Sequence, residues 1–489
     1  MIFDHLLTFL LILLIIFTPL ARGSMEFWTF SVMELGILLL IVLWAISRIR
    51  NERITSEGKS SAREMDLISC HGTGTGELLP TTCVVVVVWG LFLGLILFQE
   101  VGLPVSWIDL FSPKTSMFRQ HLHVGDEPLR TIPLSFFPYG TRTEFLTWVV
   151  FGGFFLFLLH WRPDHESRVN RHLILAILMV GAFEALCGLF GFLGVRNPLF
   201  AFDEAEGIRS GAGTFVNRNH FVGYLLMVIP LTIGFLFAHE AKQKGRSKRL
   251  IDRLSSMDGK ALLISFSIIV MILALFFSTS RMGILSLFLS FVVVMILLKG
   301  PSGEKLFFRR SAFFIGAALL CGVWIGLEAV VGRFFGMAED FKLRGMIWTS
   351  TFDMIKDFPL FGAGLGTFAQ VFPMYRSFHI RGLVTHAEND FLQLASETGL
   401  LGFGLLLALF VVLFFKAVLR IRSFSARDPR RYSAIGGLVG VVAIMFHSHV
   451  ERIIQVPANA FLYTMLWGFI LKEQTQDMEI NREEREEWT

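Results

Sequence analysis

Three arginines stand out by type and place. Arg218, Arg281 and Arg344 each lie in a short polar stretch beside long apolar runs. A guanidinium is planar, stays charged, and presents a fork of N–H donors that matches the oxygens of a phosphate. Arg281 is the most telling, because its turn, 278–283, separates two apolar runs. A cation beside lipid is costly unless it is paired or used. Each arginine alone could equally snorkel to phospholipid headgroups; three together favour anion binding for at least two. Arg376, Arg381 and Arg452 form a second rank, and Arg452 reads best as a snorkelling cation.

Candidate proton acceptors lie in HAEND, 386–390. In an extended segment His386 and Glu388 share one face. A carboxylate tuned by burial, or an imidazole, could take a proton from a hydroxyl. Glu388 as the base with His386 orienting or relaying is the preferred assignment. The reverse stays open, as does a Glu388 that only salt-bridges an arginine. Asn389 follows directly, and Asn217 and Asn219 flank Arg218. Their amides could bind hydroxyl-rich ligands or cap helices, and capping is the reading for Asn219. Gly362, Gly364 and Gly366 could form an anion nest; no Lys-Ser/Thr follows, so a plain turn is preferred. Asp203, Glu204 and Glu206 could hold a divalent cation, but loop acids are usually solvated, and no metal is expected. Glu184 and His447 lie inside apolar runs and could line a cavity or serve a proton-coupled transporter.

The elements that must position these residues are membrane spans. Of 489 residues, 54% are hydrophobic and 17% charged, against about 25% charged in soluble domains, and mean hydropathy is +0.62. The net charge of +4 is too small and dispersed for nucleic acid. Cys83, Cys187 and Cys321 fall in apolar runs and Cys70 in a charged loop, with no CxxC, so neither a disulfide framework nor a zinc site is supported. Twelve apolar segments can be drawn: 5–21, 27–46, 83–99, 144–160, 172–195, 220–238, 261–277, 284–298, 311–331, 400–415, 433–449 and 457–471. The first lacks a basic n-region and a second follows at once, so a retained anchor is expected.

Lys and Arg divide unequally between alternating connections, 28 in 116 positions on one side and 16 in 154 on the other. The denser set is expected to be cytoplasmic, with both termini inside. The division is then N-terminal spans 1–99 with a cytoplasmic loop 47–82; a first long outer loop 100–143; central spans 144–331; a large outer loop 332–399 carrying the catalytic candidates; C-terminal spans 400–471; and a cytoplasmic tail 472–489. Residues 338–356 space Phe341, Ile347, Trp348, Phe352 and Ile355 as an amphipathic helix does, lying on the membrane surface or packed on the bundle.

Four stretches, GAGTFVNRNHFVGYL (211–225), STSRMGILSL (278–287), LRGMIWTSTFDMIKDFPLFGAGLGTF (343–368) and HAENDFLQLASETGLLGFG (386–404), together resemble the O-antigen ligase and O-antigen polymerase superfamily of bacterial inner membranes. LPVSWIDLFSP (103–113) is a weaker fifth. Members transfer a glycan from undecaprenyl diphosphate to a hydroxyl on a lipid, a growing glycan or a protein, outside the cytoplasmic membrane. The resemblance implies an all-α polytopic, GT-C-like glycosyltransferase that needs no metal or cofactor. Its partners would be the lipid-linked glycan, the acceptor hydroxyl and the bilayer, with no nucleic acid. Arg218, Arg281 and Arg344 would meet the leaving diphosphate, with Asn217, Arg376, Arg381 and Asn389 available to substrate. Ligases of the superfamily carry His before the residue matching Asn389; here Glu388 stands there, while Gly399 keeps its place. That departure makes a lipid A core ligase less expected than a polymerase or a ligase for another surface polysaccharide. A transporter or flippase of a glycan and a protein O-oligosaccharyltransferase are the alternatives. Against transport, the polar residues gather in outer loops and no inverted repeat is visible.

The charge asymmetry makes a direct prediction. In a cysteine-free background, Ser377→Cys is expected to react with a membrane-impermeant thiol reagent on whole cells, and Ser425→Cys only after lysis. Opposite labelling would overturn the orientation.

Overall fold

The structure, a computed structural model, describes residues 2–58, 81–123, 129–194, 212–242, 258–298, 308–309, 311–312, 316, 337–379, 382–425 and 428–472. In chain order the helices are α1 (Ile2–Leu20), α2 (Phe27–Gly58), α3 (Thr81–Glu100), α4 (Val105–Phe111), α5 (Pro113–Leu122), α6 (Pro138–His160), α7 (Glu166–Phe192) and α8 (Arg218–Lys242). There follow α9 (Gly259–Phe277), α10 (Arg281–Leu297), α11 (Met337–Asp357), α12 (Phe368–Val371), α13 (Asp390–Ser423), α14 (Pro429–His447) and α15 (Pro457–Leu471). Eight of these, α1, α2, α3, α6, α7, α8, α9 and α13, are long and apolar enough to cross a bilayer. The stretches read as spans at 284–298, 433–449 and 457–471 fall largely on α10, α14 and α15. The one at 311–331 lies almost wholly outside the described residues. The chain is a polytopic helical membrane protein; twelve spans and a GT-C-like architecture remain expectations.

Large apolar side chains stand exposed along the spans, among them Phe9, Leu35, Leu263 and Phe288. In water such faces would be a liability; against acyl chains they are the ordinary condition. The centre is α8, whose spanning window is wholly buried. It runs against α14 with backbones nearly touching. A Cβ at Gly436 would lie 2.2 Å from the Pro230 carbonyl oxygen, and one at Gly234 2.3 Å from that of Tyr432. Small residues permit this approach, which is how helices associate where lipid offers no hydrophobic drive. The contact brings the turn after α14 to the first turn of α8.

The two long loops, 100–143 and 332–399, are knitted together rather than hanging free. Leu103–Pro104 (β1) pairs antiparallel with Thr131–Ile132 (β2). Gln99, fully buried at the end of α3, donates to the carbonyls of Phe361 and Glu397 and accepts from Leu365 N–H. Phe136 N–H bonds the Ala363 carbonyl, and Arg119 donates to those of Ser135 and Phe136. Helix α11 splits the apolar residues of 338–356 between two stripes. Ile347, Thr351, Met354 and the following Phe358 are buried in the packed face, while Phe341 and Phe352 stand 41% and 50% exposed on another stripe.

Helix α13 begins ten residues before the apolar run read at 400–415. Asn389 Oδ1 accepts from the N–H groups of Phe391 and Leu392, capping its first turn. The helix breaks at Gly399, with φ 65° and ψ −175°. There a Cβ would lie 2.3 Å from the Leu360 carbonyl oxygen, and Leu400 N–H bonds that of Pro359. The Asn389-to-Gly399 interval is therefore the length of a short helical arm between a cap and a break. Gly399→Ala combines a left-handed backbone with a backbone clash, and is expected to cost about 2 kcal/mol or more. Gly404, where a Cβ would meet nothing within 4 Å, supplies the control. Thermal unfolding in detergent should separate Gly399→Ala from a near-silent Gly404→Ala.

Candidate active site

Three of the four motif segments meet at one turn, residues 448–456, between α14 and α15. The turn is fixed by α13. Asp390 Oδ2 accepts from the N–H groups of Ile453 and Ile454, Asp390 N–H bonds the Ser448 carbonyl, and Asn389 Nδ2 donates to that of His449. Asn389 thus spends its amide on capping and clamping, which corrects its assignment to substrate.

The turn presents Glu451 and Arg452 in opposite roles. Glu451 is 3% exposed. Its Oε2 accepts from Arg344 Nη2 at 2.5 Å and from Asn219 Nδ2 at 2.6 Å, and Arg344 Nη1 donates to the Val450 carbonyl at 2.9 Å. Glu388 hydrogen-bonds Glu451, placing two carboxyl groups in contact. Burial, opposed by the Arg344 charge and reinforced by Glu388, pushes Glu451 up to about 8. Two carboxylates this close resist ionising together, so the pair holds a proton at neutral pH.

Arg452 donates through Nη1 to His386 Nε2 at 2.5 Å and through Nε to Gln455. The carboxylates of Asp390, Glu144, Glu388 and Glu397 hold its charge against burial. It is no snorkelling cation. Because a guanidinium only donates, His386 Nε2 must accept, and its lone pair is occupied. Burial, with the Arg452 charge second, pushes the imidazole down to about 3. The segment is not extended as the sequence suggests: Glu388 adopts φ 51° and bonds Glu451, while His386 bonds Arg452.

Arg218 opens α8 and donates to Thr279 Oγ1 at 3.4 Å. Thr279, at φ 58°, and Ser280 lead into Arg281, the first residue of α10. A Cβ on Gly283 would lie 2.3 Å from Val222, so the first turns of α8 and α10 lie side by side. Asn217 Oδ1 accepts from Asn219 N–H, making Asn217 the cap and freeing Asn219 for Glu451. The capping assignment therefore moves by two residues, and Asn217 spends its Oδ1 on the cap. The preceding loop is held by Glu184, whose two oxygens meet the N–H and hydroxyl of Thr214. That gives the buried Glu184 a structural partner.

The glycine turn is no free anion nest. Gly364 N–H bonds the Glu397 carbonyl, and the Glu397 carboxylate takes the N–H groups of Gly366 and Phe368. Arg376 contacts the Gly382 carbonyl of its own loop at 3.4 Å. Arg381 and the acids Asp203, Glu204 and Glu206 lie outside the described residues. Sequence reading overlooked Glu451, although the argument that picked out Arg281, a charge in a short turn between spans, applies equally to it.

Residues 266–407 match the O-antigen ligase family. The match covers Arg281, Arg344, His386 and Glu388, while Arg218, Asn219, Glu451 and Arg452 lie outside it. The exopolysaccharide production protein ExoQ of Rhizobium meliloti (strain 1021) is 26% identical over 254 residues, 50% of this chain and 54% of that protein. The chain thus spans about half the length of this curated relative.

Arg452 accounts for part of the depression of His386, and the sign is testable. The His386 imidazole is expected not to titrate between pH 5 and 8 by nitrogen NMR. In Arg452→Gln it should titrate higher, while burial keeps it below the ordinary histidine range. A His386 that titrates normally in the unaltered protein would contradict the contact.

Proposed function

We propose that this chain, whose residues 266–407 are an O-antigen ligase segment, transfers a glycan from undecaprenyl diphosphate to an acceptor hydroxyl during surface polysaccharide assembly. The reaction lies at the periplasmic face of the inner membrane, with both termini cytoplasmic, and 332–399 supplies the catalytic loop. The observation that carries the reading is the meeting of the Glu388–Glu451 carboxyl pair with Arg344 and, through Asn219, with the end of α8 that bears Arg218.

The chemistry asks for two things. Negative charge grows on the departing diphosphate and must be met by fixed cations. Arg218, Arg281 and Arg344 supply them, each able to grip phosphate oxygens with two N–H groups. The acceptor hydroxyl must lose a proton as its oxygen bonds the anomeric carbon. The half-buried carboxylate of Glu388 takes it. His386 is unsuited to that task, because its Nε2 already accepts from Arg452. It acts by positioning Arg452. With arginines neutralising the leaving group, the reaction requires no metal. Glu388 in place of the ligase histidine, together with the exopolysaccharide relative, favours a polymerase or exopolysaccharide ligase over a lipid A core ligase.

Purified protein in detergent is expected to release undecaprenyl diphosphate from a lipid-linked glycan without nucleotide or gradient, and to survive a chelator. Glu388→Gln should lower turnover about 10²–10⁴-fold with donor affinity retained. His386→Ala should be the milder change. Arg281→Lys keeps the charge but loses the fork, and should impair turnover without loss of expression. A His386→Ala defect larger than that of Glu388→Gln would reverse the two roles, and gradient-driven uptake without transfer would replace the enzyme by a transporter.

A further inference from the structure

Arg344 is assigned to the donor diphosphate, yet here it is held by a carboxylate. Its side chain is 23% exposed against 4% for that of Glu451, so the arginine is the partner with access to an incoming ligand. Glu451 is fixed from several directions. Asn219 donates to the oxygen that Arg344 grips, Glu388 bonds it, and its turn is clamped by Asn389 and Asp390. The remaining charged or titratable groups around it are Arg452, Asp390, His386, His220 and His447. Of these, Arg452 faces Asp390, His386 and His220, and His447 faces Arg344 and His220.

We infer that donor binding strengthens the base: the diphosphate draws Arg344 away from Glu451, and the Glu388–Glu451 pair, deprived of that cation, becomes the better acceptor of the hydroxyl proton. The inference rests on the transfer reaction proposed above and deepens it. A cation beside a carboxyl pair lowers its affinity for protons, and withdrawing the cation raises it. The pair enters the step holding one proton. The acceptor O–H bond breaks and its proton passes to Glu388. The acceptor oxygen bonds the anomeric carbon, and the bond from that carbon to the diphosphate oxygen breaks with its electron pair left on the diphosphate. The pair then holds two protons. When undecaprenyl diphosphate departs, Arg344 returns to Glu451 and one proton is released to water. Glu451 is thus a positioning residue that reports donor occupancy to the base.

The test uses the full chain in detergent with undecaprenyl diphosphate as the probe. Binding is followed by calorimetry at pH about 8, where Glu451 titrates, in buffers of different ionisation enthalpy. Unaltered protein is expected to take up more protons on binding than Glu451→Gln, whose amide still accepts from Asn219 and Arg344 but cannot titrate. Equal uptake with binding intact in both would overturn the hand-off and leave the diphosphate reading standing. An unaltered protein that does not bind the probe would overturn both. Infrared difference spectra of the unaltered protein need no variant: binding should increase absorption by protonated carboxyl groups, and a decrease or no change would overturn the inference.

Discussion

Charge withdrawn from water beside a bilayer has to be balanced within the protein. At one end of this bundle the balance turns on one short segment, the turn carrying Glu451 and Arg452. The acid neutralises Arg344 and meets Glu388; the base occupies His386 and sits among four carboxylates. Removing one partner would leave another buried and uncompensated, which costs far more than the pair contributes. The turn is in place because α8 and α14 approach with only glycine between their backbones, and because Asp390 and Asn389 clamp it to the start of α13. Packing in the apolar interior and electrostatics at the polar rim are therefore one design.

Much of the helical plan was legible in the sequence, since runs of about 20 apolar residues have few alternatives to spanning a bilayer. The start of α13 was not, because its first turns interrupt the apolar pattern with Asp390, Gln393, Ser396, Glu397 and Thr398, all buried against the neighbouring loops. The arginines were legible as well, being expensive residues in conspicuous places. What escaped was pairing across long sequence distances. Glu451 lies 107 residues from Arg344 and 232 from Asn219, and no local pattern announces either contact. The roles of Asn217 and Asn219 were exchanged for a related reason. Both are good caps by type, and only the position of the first helical residue decides which is used.

The glycine turn at 362–366 shows how a chemically suggestive pattern can be spent on architecture. Its N–H groups are ready for an anion, and the anion that arrives is the protein's own Glu397. With Gln99 inserted between the same segments, the turn becomes a joint between the two long loops. Backbone strain is distributed differently. Of the four described non-glycine residues with positive φ, Thr279 and Glu388 lie in motif segments, one beside Arg281 and the other in the carboxyl pair. Strained backbone persists only where the surroundings over-determine it, and it gathers where side chains must be aimed.

Helix α11 carries Arg344 between two unlike stripes, a packed one built on Ile347 and Met354 and an uncovered one holding Phe341 and Phe352. An element anchored to a rigid bundle on one side and offering aromatic rings on another behaves like the painted waterline of a hull. If a bilayer meets the chain at those rings, Arg344, one turn from Phe341, is held at a set depth. A lipid-borne phosphate has its own depth, fixed by the chain that anchors it. Matching the two heights leaves such a ligand only a search in the plane of the membrane, with no vertical distance to travel.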